Sequence, residues 1–218
     1  MVHTFEEQPD FLHAVAWSAD GAWIATGCDT GRITLIDAAK RKPIRRCRHE
    51  AKRTRQRIVW SLDFTPDGRT LFAGTGDSLI RAWDPASGKE RYTIRGHKGR
   101  VLATRVSPDG RLLASGADDG KVGIWDAASG RKRYLLGGHG KCVYAVAWHP
   151  TQPVLASGAA DGTVRLWDTR TWSVIQRIDV TKDIVYGLAW NSAGTRLAAS
   201  CGSGGLFVFA ADKTARAK

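Results

Sequence analysis

A repeat of about 42 residues constrains this chain more than any other feature of its sequence. Five turn segments begin with spacings of 47, 42, 42 and 42 residues, at Trp17, Phe64, Val106, Trp148 and Trp190. A second marker keeps the same spacings, at Ile36-Asp37, Trp83-Asp84, Trp125-Asp126, Trp167-Asp168 and Phe209-Ala210. Two markers in register over five copies indicate a repeat architecture, in which each unit buries its apolar face against its neighbours.

The pattern inside each copy is that of short β-strands. Segments such as Val143–Trp148 and Thr163–Trp167 are rich in β-branched and aromatic residues. Asp-Gly pairs at 67–68, 109–110, 119–120 and 161–162 separate such segments, and these residues tolerate the positive φ of tight hairpin turns. No window has a sustained helical period. Each copy is therefore predicted to form about four antiparallel strands, and the chain an all-β fold.

These residues resemble the WD-repeat family of β-propellers, with which they share the period and the Gly-His and Trp-Asp pairs. The best copies run from Gly96-His97 to Trp125-Asp126 and from Gly138-His139 to Trp167-Asp168. The resemblance covers nearly the whole chain and implies a β-propeller of five blades. It also implies a buried hydrogen-bonded set of His, Ser, Asp and Trp in two copies, at His97, Ser115, Asp119 and Trp125, and at His139, Ser157, Asp161 and Trp167. The second copy departs from this pattern, because it keeps Asp77 and Trp83 but has Ala73 at the Ser position.

The repeats define one predicted propeller domain over residues 1–211, followed by a basic tail at 212–218. Its copies lie at about 8–54, 55–96, 97–138, 139–180 and 181–211. Val2 to Glu6 has the register of an outermost strand, since Phe5 falls where Ile94 does, and the last copy stops before such a strand. In the family, the N-terminal strand completes the last blade, which favours a closed five-bladed ring. The alternative is an open arc completed by another chain or by self-association.

Composition and missing motifs argue against several classes of function. No stretch approaches 18 apolar residues, and the start carries Glu6, Glu7 and Asp10, so neither a membrane span nor a signal peptide is expected. Four scattered cysteines without a CxxC pair favour reduced thiols and a cytoplasmic location, with the nucleus left open. The motifs GxSxG, HExxH and GxxxxGK[ST] do not occur. We therefore expect no enzyme activity, cofactor, metal, small-molecule substrate or membrane partner.

Most of the net positive charge lies in one segment. The chain has a net charge of +12, and the 18 residues from 40 to 57 contribute +9 of it. The basic residues of this segment are Lys40, Arg41, Lys42, Arg45, Arg46, Arg48, Lys52, Arg53, Arg55 and Arg57. By alignment, its first half is an outermost strand and its second half an enlarged loop. One interpretation is a solvated edge strand whose charge prevents edge pairing. The other is an electrostatic patch for nucleic acid or an acidic protein.

A second candidate surface follows from the family resemblance. In that family, residues that flank the first buried Val of the innermost strand surround the mouth of the central channel and often contact partners. The matching positions here, which we call the channel mouth, are Phe11, His13, Ile58, Trp60, Arg100, Leu102, Cys142, Tyr144, Ile184 and Tyr186. Trp60, Tyr144 and Tyr186 are aromatic residues of the type enriched in binding hot spots. Ordinary channel packing is the alternative interpretation.

These observations predict a non-enzymatic scaffold that mediates protein–protein interaction within a larger complex. Trp60, Tyr144 and Tyr186 would anchor the partner, and Arg53, Arg55, Arg57 and Arg100 would orient its acidic groups. The alternative is a subunit that binds RNA or DNA through residues 40–57.

Overall fold

The computed structural model describes residues 10–49, 51 and 54–210, which form five antiparallel sheets. Four sheets have four strands and the fifth has three, and the order of strands in each sheet follows the chain. The predicted all-β fold class is confirmed, and we call each sheet a blade. The predicted closing strand from Val2 to Glu6, the tail at 212–218, and Lys52 and Arg53 lie outside the described residues.

The strands of each blade follow one another from its inner to its outer edge. The first blade contains β1 (Leu12–Trp17), β2 (Trp23–Cys28), β3 (Arg32–Asp37) and β4 (Lys42–Arg48). One helical turn, α1 (Thr54–Arg57), leads to the second blade, with β5 (Val59–Phe64), β6 (Leu71–Thr75), β7 (Ile80–Trp83) and β8 (Glu90–Ile94). The third blade contains β9 (Val101–Val106), β10 (Leu112–Ala117), β11 (Val122–Asp126) and β12 (Lys132–Leu136). The fourth contains β13 (Val143–Trp148), β14 (Val154–Ala159), β15 (Thr163–Asp168) and β16 (Val174–Asp179), and the fifth β17 (Val185–Trp190), β18 (Arg196–Cys201) and β19 (Leu206–Ala210).

A small side-chain network fixes the turn between the first two strands of a blade. In the second blade, the Thr65 hydroxyl donates to Asp67 Oδ1 at 2.6 Å, and the Arg69 amide donates to the same oxygen at 3.0 Å. Gly68 supplies the positive φ of +67° that the turn requires. Ser18 with Asp20 and Ser107 with Asp109 repeat the arrangement. The Asp-Gly pairs at 67–68 and 109–110 are therefore turn residues, as predicted.

The apolar core lies between successive blades, because each strand presents alternate side chains to its two neighbours. Ile33 and Leu35 of the first blade pack with Leu62 and Phe64 of the second. Equivalent clusters join the second blade to the third, the third to the fourth and the fourth to the fifth. Inner strands of successive blades also pack side by side. This arrangement places the first residues of β1, β5, β9, β13 and β17 around a common axis.

The first and last blades each keep an apolar face exposed. Trp17 is 64% exposed, whereas Phe64, at the same position of the repeat, is 6% exposed. Leu206 is 71% exposed, whereas the equivalent Ile33 and Val164 are fully buried. Among the described residues, no core cluster joins the fifth blade to the first. Closure of the ring through the segment from Val2 to Glu6 is a prediction about residues outside those described.

Candidate protein-interaction surface

A buried hydrogen-bonded network holds the third blade together. His97 Nε2 lies 2.8 Å from Ser115 Oγ, and Trp125 Nε1 donates to the same oxygen at 2.7 Å. His97 Nδ1 lies 3.0 Å from the Asp119 carboxylate. His139, Ser157, Asp161 and Trp167 repeat these contacts in the fourth blade, at distances of 2.7 to 3.1 Å. Each serine hydroxyl therefore joins an imidazole on a strand connection to an indole on the third strand of the same blade.

The second blade has a histidine near the same position, His49, which the repeat pattern did not predict. His49 is buried, its Nε2 donates to the Arg57 carbonyl at 2.5 Å, and its Nδ1 lies 4.0 Å from the Asp77 carboxylate. Asp77 instead pairs with Arg81 at 2.6 Å. In the described part of the chain, Trp83 Nε1 is buried without a hydrogen-bond partner, because Ala73 offers no hydroxyl. Because the first copy has five extra residues, His49 does not have the regular spacing from Asp77 and Trp83. The repeat pattern therefore did not identify it.

These buried groups make the stability of the fold dependent on pH. Burial lowers the pKa of His139 below its usual 6.5, and burial together with the nearby Arg81 charge lowers that of His49. Burial raises the pKa of Asp119, but hydrogen bonds from His97 and the Lys98 amide outweigh it, so that this pKa is lowered overall. A lowered pKa in the folded state contributes stability above the pKa of the unfolded chain, and this contribution is lost on acidification.

We therefore expect the thermal unfolding midpoint to fall as the pH is lowered from 7.5 to 5, because His49 and His139 gain protons more readily in the unfolded chain. A further fall is expected below about pH 4, when Asp77, Asp119 and Asp161 take up protons. Differential scanning calorimetry over this range measures the effect. A midpoint that stays constant from pH 7.5 to 5 would contradict the expectation.

The structure brings the predicted channel-mouth residues together around the axis. The His13 and Trp60 rings lie 5.1 Å apart, and the Tyr144 and Tyr186 rings lie 5.1 Å apart in an edge-on arrangement. The cavity between the inner strands is lined by His13, Trp60, Leu102, Tyr144 and Tyr186. Phe11 is exposed, Leu102 is buried, and Ile58, Cys142 and Ile184 are half-buried at the same end. The candidate surface is thus a half-open aromatic depression at one end of the channel.

Arg100 is held rigidly at the edge of this depression. Its guanidinium carbon lies 5.3 Å from the centre of the Trp60 ring, and its Nε donates to Asp118 Oδ2 at 2.5 Å. The hydrogen bond to Asp118 raises the pKa of Arg100 above its ordinary value. Its side chain still keeps 43% of its surface exposed, so that further donors can reach a partner. Asp118 was not predicted from the sequence, although it directly precedes the predicted Asp119-Gly120 turn.

The structure divides the basic segment into two parts. Residues 40–48 lie along the outer edge of the first blade, where Lys42, Arg46 and Arg48 are exposed on β4 and Arg45 contacts the Ser87 carbonyl. Lys40 pairs with Asp37 at 3.2 Å, and Arg41 occupies the turn. The second part contains Arg55 and Arg57 on α1, directly before Ile58 and Trp60. The strand and the enlarged loop therefore follow the predicted division, and only the second part lies beside the channel mouth.

Five meandering blades, with buried His–Ser–Trp networks in the third and fourth, define a β-propeller, a class of rigid binding platform. The family model "WD domain, G-beta repeat" matches residues 1–37, 42–84, 88–126 and 130–168. These matches cover more than half of the chain, and the chain belongs to the WD-repeat family. Proteins of this family are scaffolds and are generally not enzymes. The resemblance stated from the sequence is confirmed.

Several characterised proteins are similar to parts of this chain. A guanine nucleotide-binding protein subunit beta-5b of Danio rerio is 34% identical over 97 residues, which are 43% of this chain and 23% of that protein. The small ribosomal subunit protein RACK1 of Neurospora crassa is 32% identical over 78 residues, 34% of this chain and 24% of that protein. A probable serine/threonine-protein kinase PkwA of Thermomonospora curvata is 44% identical over 50 residues, 23% of this chain and only 7% of the kinase. In each case the match spans less than a quarter of the relative.

A solved structure has the same fold over nearly the whole chain. One chain in the crystal structure of the mitotic checkpoint complex superposes with a TM-score of 0.85 at 24% sequence identity. The superposition covers 94% of this chain and 63% of that chain. Among the described residues, no helix has the length and apolar character needed to cross a membrane.

Proposed function

We propose that this protein is a non-enzymatic scaffold that binds an acidic segment of a protein partner at its channel mouth. The observation that carries the proposal is the position of Arg100, which Trp60 and Asp118 hold from two sides at the edge of an aromatic depression. An arginine that is already oriented loses little conformational entropy when it forms a forked contact with a carboxylate. Family membership supports the general role, because WD-repeat proteins bind protein partners.

The depression offers an apolar centre with a basic rim. Tyr186 is 52% exposed and packs edge-on against Tyr144, so its ring can cover an apolar side chain of the partner without rearrangement. Arg55 and Arg57 lie on α1, directly before Ile58 and Trp60 in the chain, and attract acidic residues over a longer range. An apolar centre within a charged rim is the usual organisation of a protein interface. We expect the anchors to determine affinity and the arginines to determine the rate of association and its salt dependence.

The test begins with isolation of the protein from its native cells and identification of the proteins that accompany it by mass spectrometry. The recovered partner is then titrated against purified variants. Trp60→Ala and Tyr186→Ala should each weaken binding by roughly 30-fold or more, the effect of truncating a hot-spot residue. Arg100→Lys should weaken it less, because charge is kept while the fork is lost.

Trp17→Ala is the matched control, because Trp17 is also exposed but lies at the opposite end of β1. Circular dichroism establishes that each variant keeps its fold. Unchanged affinity of both Trp60→Ala and Tyr186→Ala for the partner would exclude the channel mouth as the binding surface. A loss that Trp17→Ala shares equally would also count against this surface.

The exposed basic side chains of β4 support a second candidate, binding of RNA or DNA along the outer edge of the first blade. If roughly five phosphates are contacted, the logarithm of the affinity should fall with the logarithm of salt concentration at a slope of about −4 to −5. Replacing Lys42, Arg46 and Arg48 together by alanine should reduce that slope by about 3. Absence of binding to unrelated DNA and RNA at 50 mM salt would exclude this candidate.

A further inference from the structure

One arginine lies deeper in the channel than the aromatic depression. The cavity that begins at the channel mouth has a volume of about 310 Å³, and its lining extends from Trp60 and Leu102 to Arg105. Arg105 follows Leu102 by three residues on β9, which is roughly 10 Å along a strand. Arg105 is exposed and also lines the cavity at the other end of the channel. Its side chain is therefore reached through the channel, from a position between the two ends.

The neighbouring inner strands carry mostly small side chains at this level of the channel. At the position of Arg105 in the repeat, β1, β13 and β17 have alanine, at Ala16, Ala147 and Ala189. The second blade has Asp63 there, and its Oδ2 accepts a hydrogen bond from the Val106 amide at 2.7 Å. Alanine side chains leave space beside a guanidinium, so Arg105 stays accessible from the mouth.

Most donors of Arg105 have no partner in the part of the chain that the structure describes. A guanidinium has five N–H donors, and Nη1 of Arg105 donates one of them to the Thr104 carbonyl at 2.8 Å. The positive charge opposes the rise that burial causes in the pKa of Asp63. Arg105 nevertheless forms no ion pair with any described carboxylate. The backbone at this position is fixed, because Trp148 Nε1 donates to the Arg105 carbonyl at 2.9 Å.

The charge of Arg105 stands alone in an otherwise uncharged cavity. Among the described residues that line it, Arg105 is the only one with a permanent charge. Leu62, Ala103 and Val146 are apolar members of the same lining. Walls of low polarity screen a charge less than bulk water does and concentrate its field in the cavity. The interior of the channel therefore attracts a negatively charged group.

We propose that a carboxylate of the partner segment enters the channel past Trp60 and Tyr144 and pairs with Arg105. This inference rests on the proposed function, because it assigns a deeper contact to the same acidic segment. The guanidinium fork matches the two oxygens of a carboxylate, which distinguishes this group from an uncharged amide of the same shape. The carboxylate belongs to a glutamate side chain or to the C-terminus of the partner. Arg100 at the edge then orients the segment, whereas Arg105 selects for a carboxylate at one position.

The first test uses glutarate, a small dicarboxylate, with glutaramide as the uncharged control. In the full chain labelled with nitrogen-15, the NMR signal of Arg105 Nε is assigned by its loss in Arg105→Gln. Glutarate should shift this signal saturably, with a dissociation constant on the order of 1–10 mM, and glutaramide should not. Arg111→Gln is the matched control variant, because Arg111 is exposed in the turn after β9 and its loss should leave the shift unchanged. A signal of Arg105 that does not respond to glutarate would overturn the proposal.

Three fluorescent peptides then distinguish the two sources of the carboxylate. Ser-Gly-Leu-Glu-Leu with an amidated end has only a side-chain carboxylate, and Ser-Gly-Leu-Gln-Leu with a free end has only a terminal one. The second sequence with an amidated end has neither and serves as the control. One of the two acidic peptides should bind more tightly than the control in fluorescence anisotropy, and Arg105→Gln should weaken its binding roughly 10-fold or more. Equal binding of all three peptides would overturn the proposal, as would equal binding to Arg105→Gln and Arg111→Gln.

The partner recovered from native cells separates this inference from the proposed function. Arg105→Gln, with its fold checked by circular dichroism, should weaken the affinity for that partner roughly 10-fold or more, and Arg111→Gln by less than about 2-fold. If Trp60→Ala weakens binding and Arg105→Gln does not, the channel mouth remains the binding surface and only the carboxylate contact is wrong. If neither Trp60→Ala nor Tyr186→Ala weakens binding, the proposed function fails, and with it the assignment of this site to the partner.

Discussion

Replacement of Ser115 by alanine should lower the free energy of unfolding by roughly 2–4 kcal/mol, because it leaves two buried donors or acceptors without a partner. Ser115 Oγ receives the Trp125 Nε1 proton at 2.7 Å and lies 2.8 Å from His97 Nε2. The serine is fully buried, so water cannot replace the missing hydroxyl without a rearrangement. Deletion of one side-chain oxygen therefore affects both the strand that carries Trp125 and the connection that carries His97.

Urea denaturation followed by tryptophan fluorescence and circular dichroism measures this loss. Ser192→Ala is the matched control, since Ser192 lies exposed in the turn before β18, and its effect should stay within about 0.5 kcal/mol. Ser157→Ala should reproduce the loss in the fourth blade, because its contacts are the same. If the free energy of unfolding falls by less than about 0.5 kcal/mol in both buried variants, the networks orient the strands but do not stabilise the fold.

Much of the fold could be predicted because each blade repeats the same local sequence pattern. The Asp-Gly pairs, the alternation of apolar residues and the spacing of the Trp-Asp markers recur in register, so that errors in one copy are corrected by the others. The two complete networks are predictable for the same reason, since their members keep fixed spacings of 18, 22 and 28 residues from the histidine. Because the pattern repeats, contacts between residues that are distant in the sequence can be predicted from local spacings.

The departures from the repeat could not be predicted in the same way. The extra residues of the first copy follow His49, and its side chain reaches the Arg57 carbonyl instead of a serine. Asp118 is not a member of the repeated network, yet it holds Arg100, which lies in the connection before β9, through a hydrogen bond. The basic run from 40 to 57 is continuous in sequence, whereas the chain carries its two halves to different parts of the surface. Each of these features depends on three-dimensional position rather than on periodicity.

The second blade allows the reverse of the Ser115 experiment, because Ala73 already occupies the serine position of its network. Trp83 is buried there, and its Nε1 proton has no acceptor among the described residues. Ala73→Ser would place a hydroxyl where Ser115 and Ser157 receive the indole proton in the third and fourth blades. We expect a gain of about 1 kcal/mol in the free energy of unfolding, the usual net contribution of one hydrogen bond. This gain corresponds to a rise of roughly 2–4 °C in the unfolding midpoint for a chain of this length.

A double-mutant cycle separates this hydrogen bond from simple filling of space. Trp83→Phe removes the indole donor, so that Ala73→Ser in this background should give no gain and should cost stability, because its hydroxyl is then buried without the indole partner. The coupling between the two substitutions should be about 1 kcal/mol or more in the stabilising direction. An equal effect of Ala73→Ser in the two backgrounds would show that Trp83 does not use the new hydroxyl. We would then attribute the missing hydrogen bond to the displaced His49. Its ring already donates to the Arg57 carbonyl and would have to turn for the full network to form.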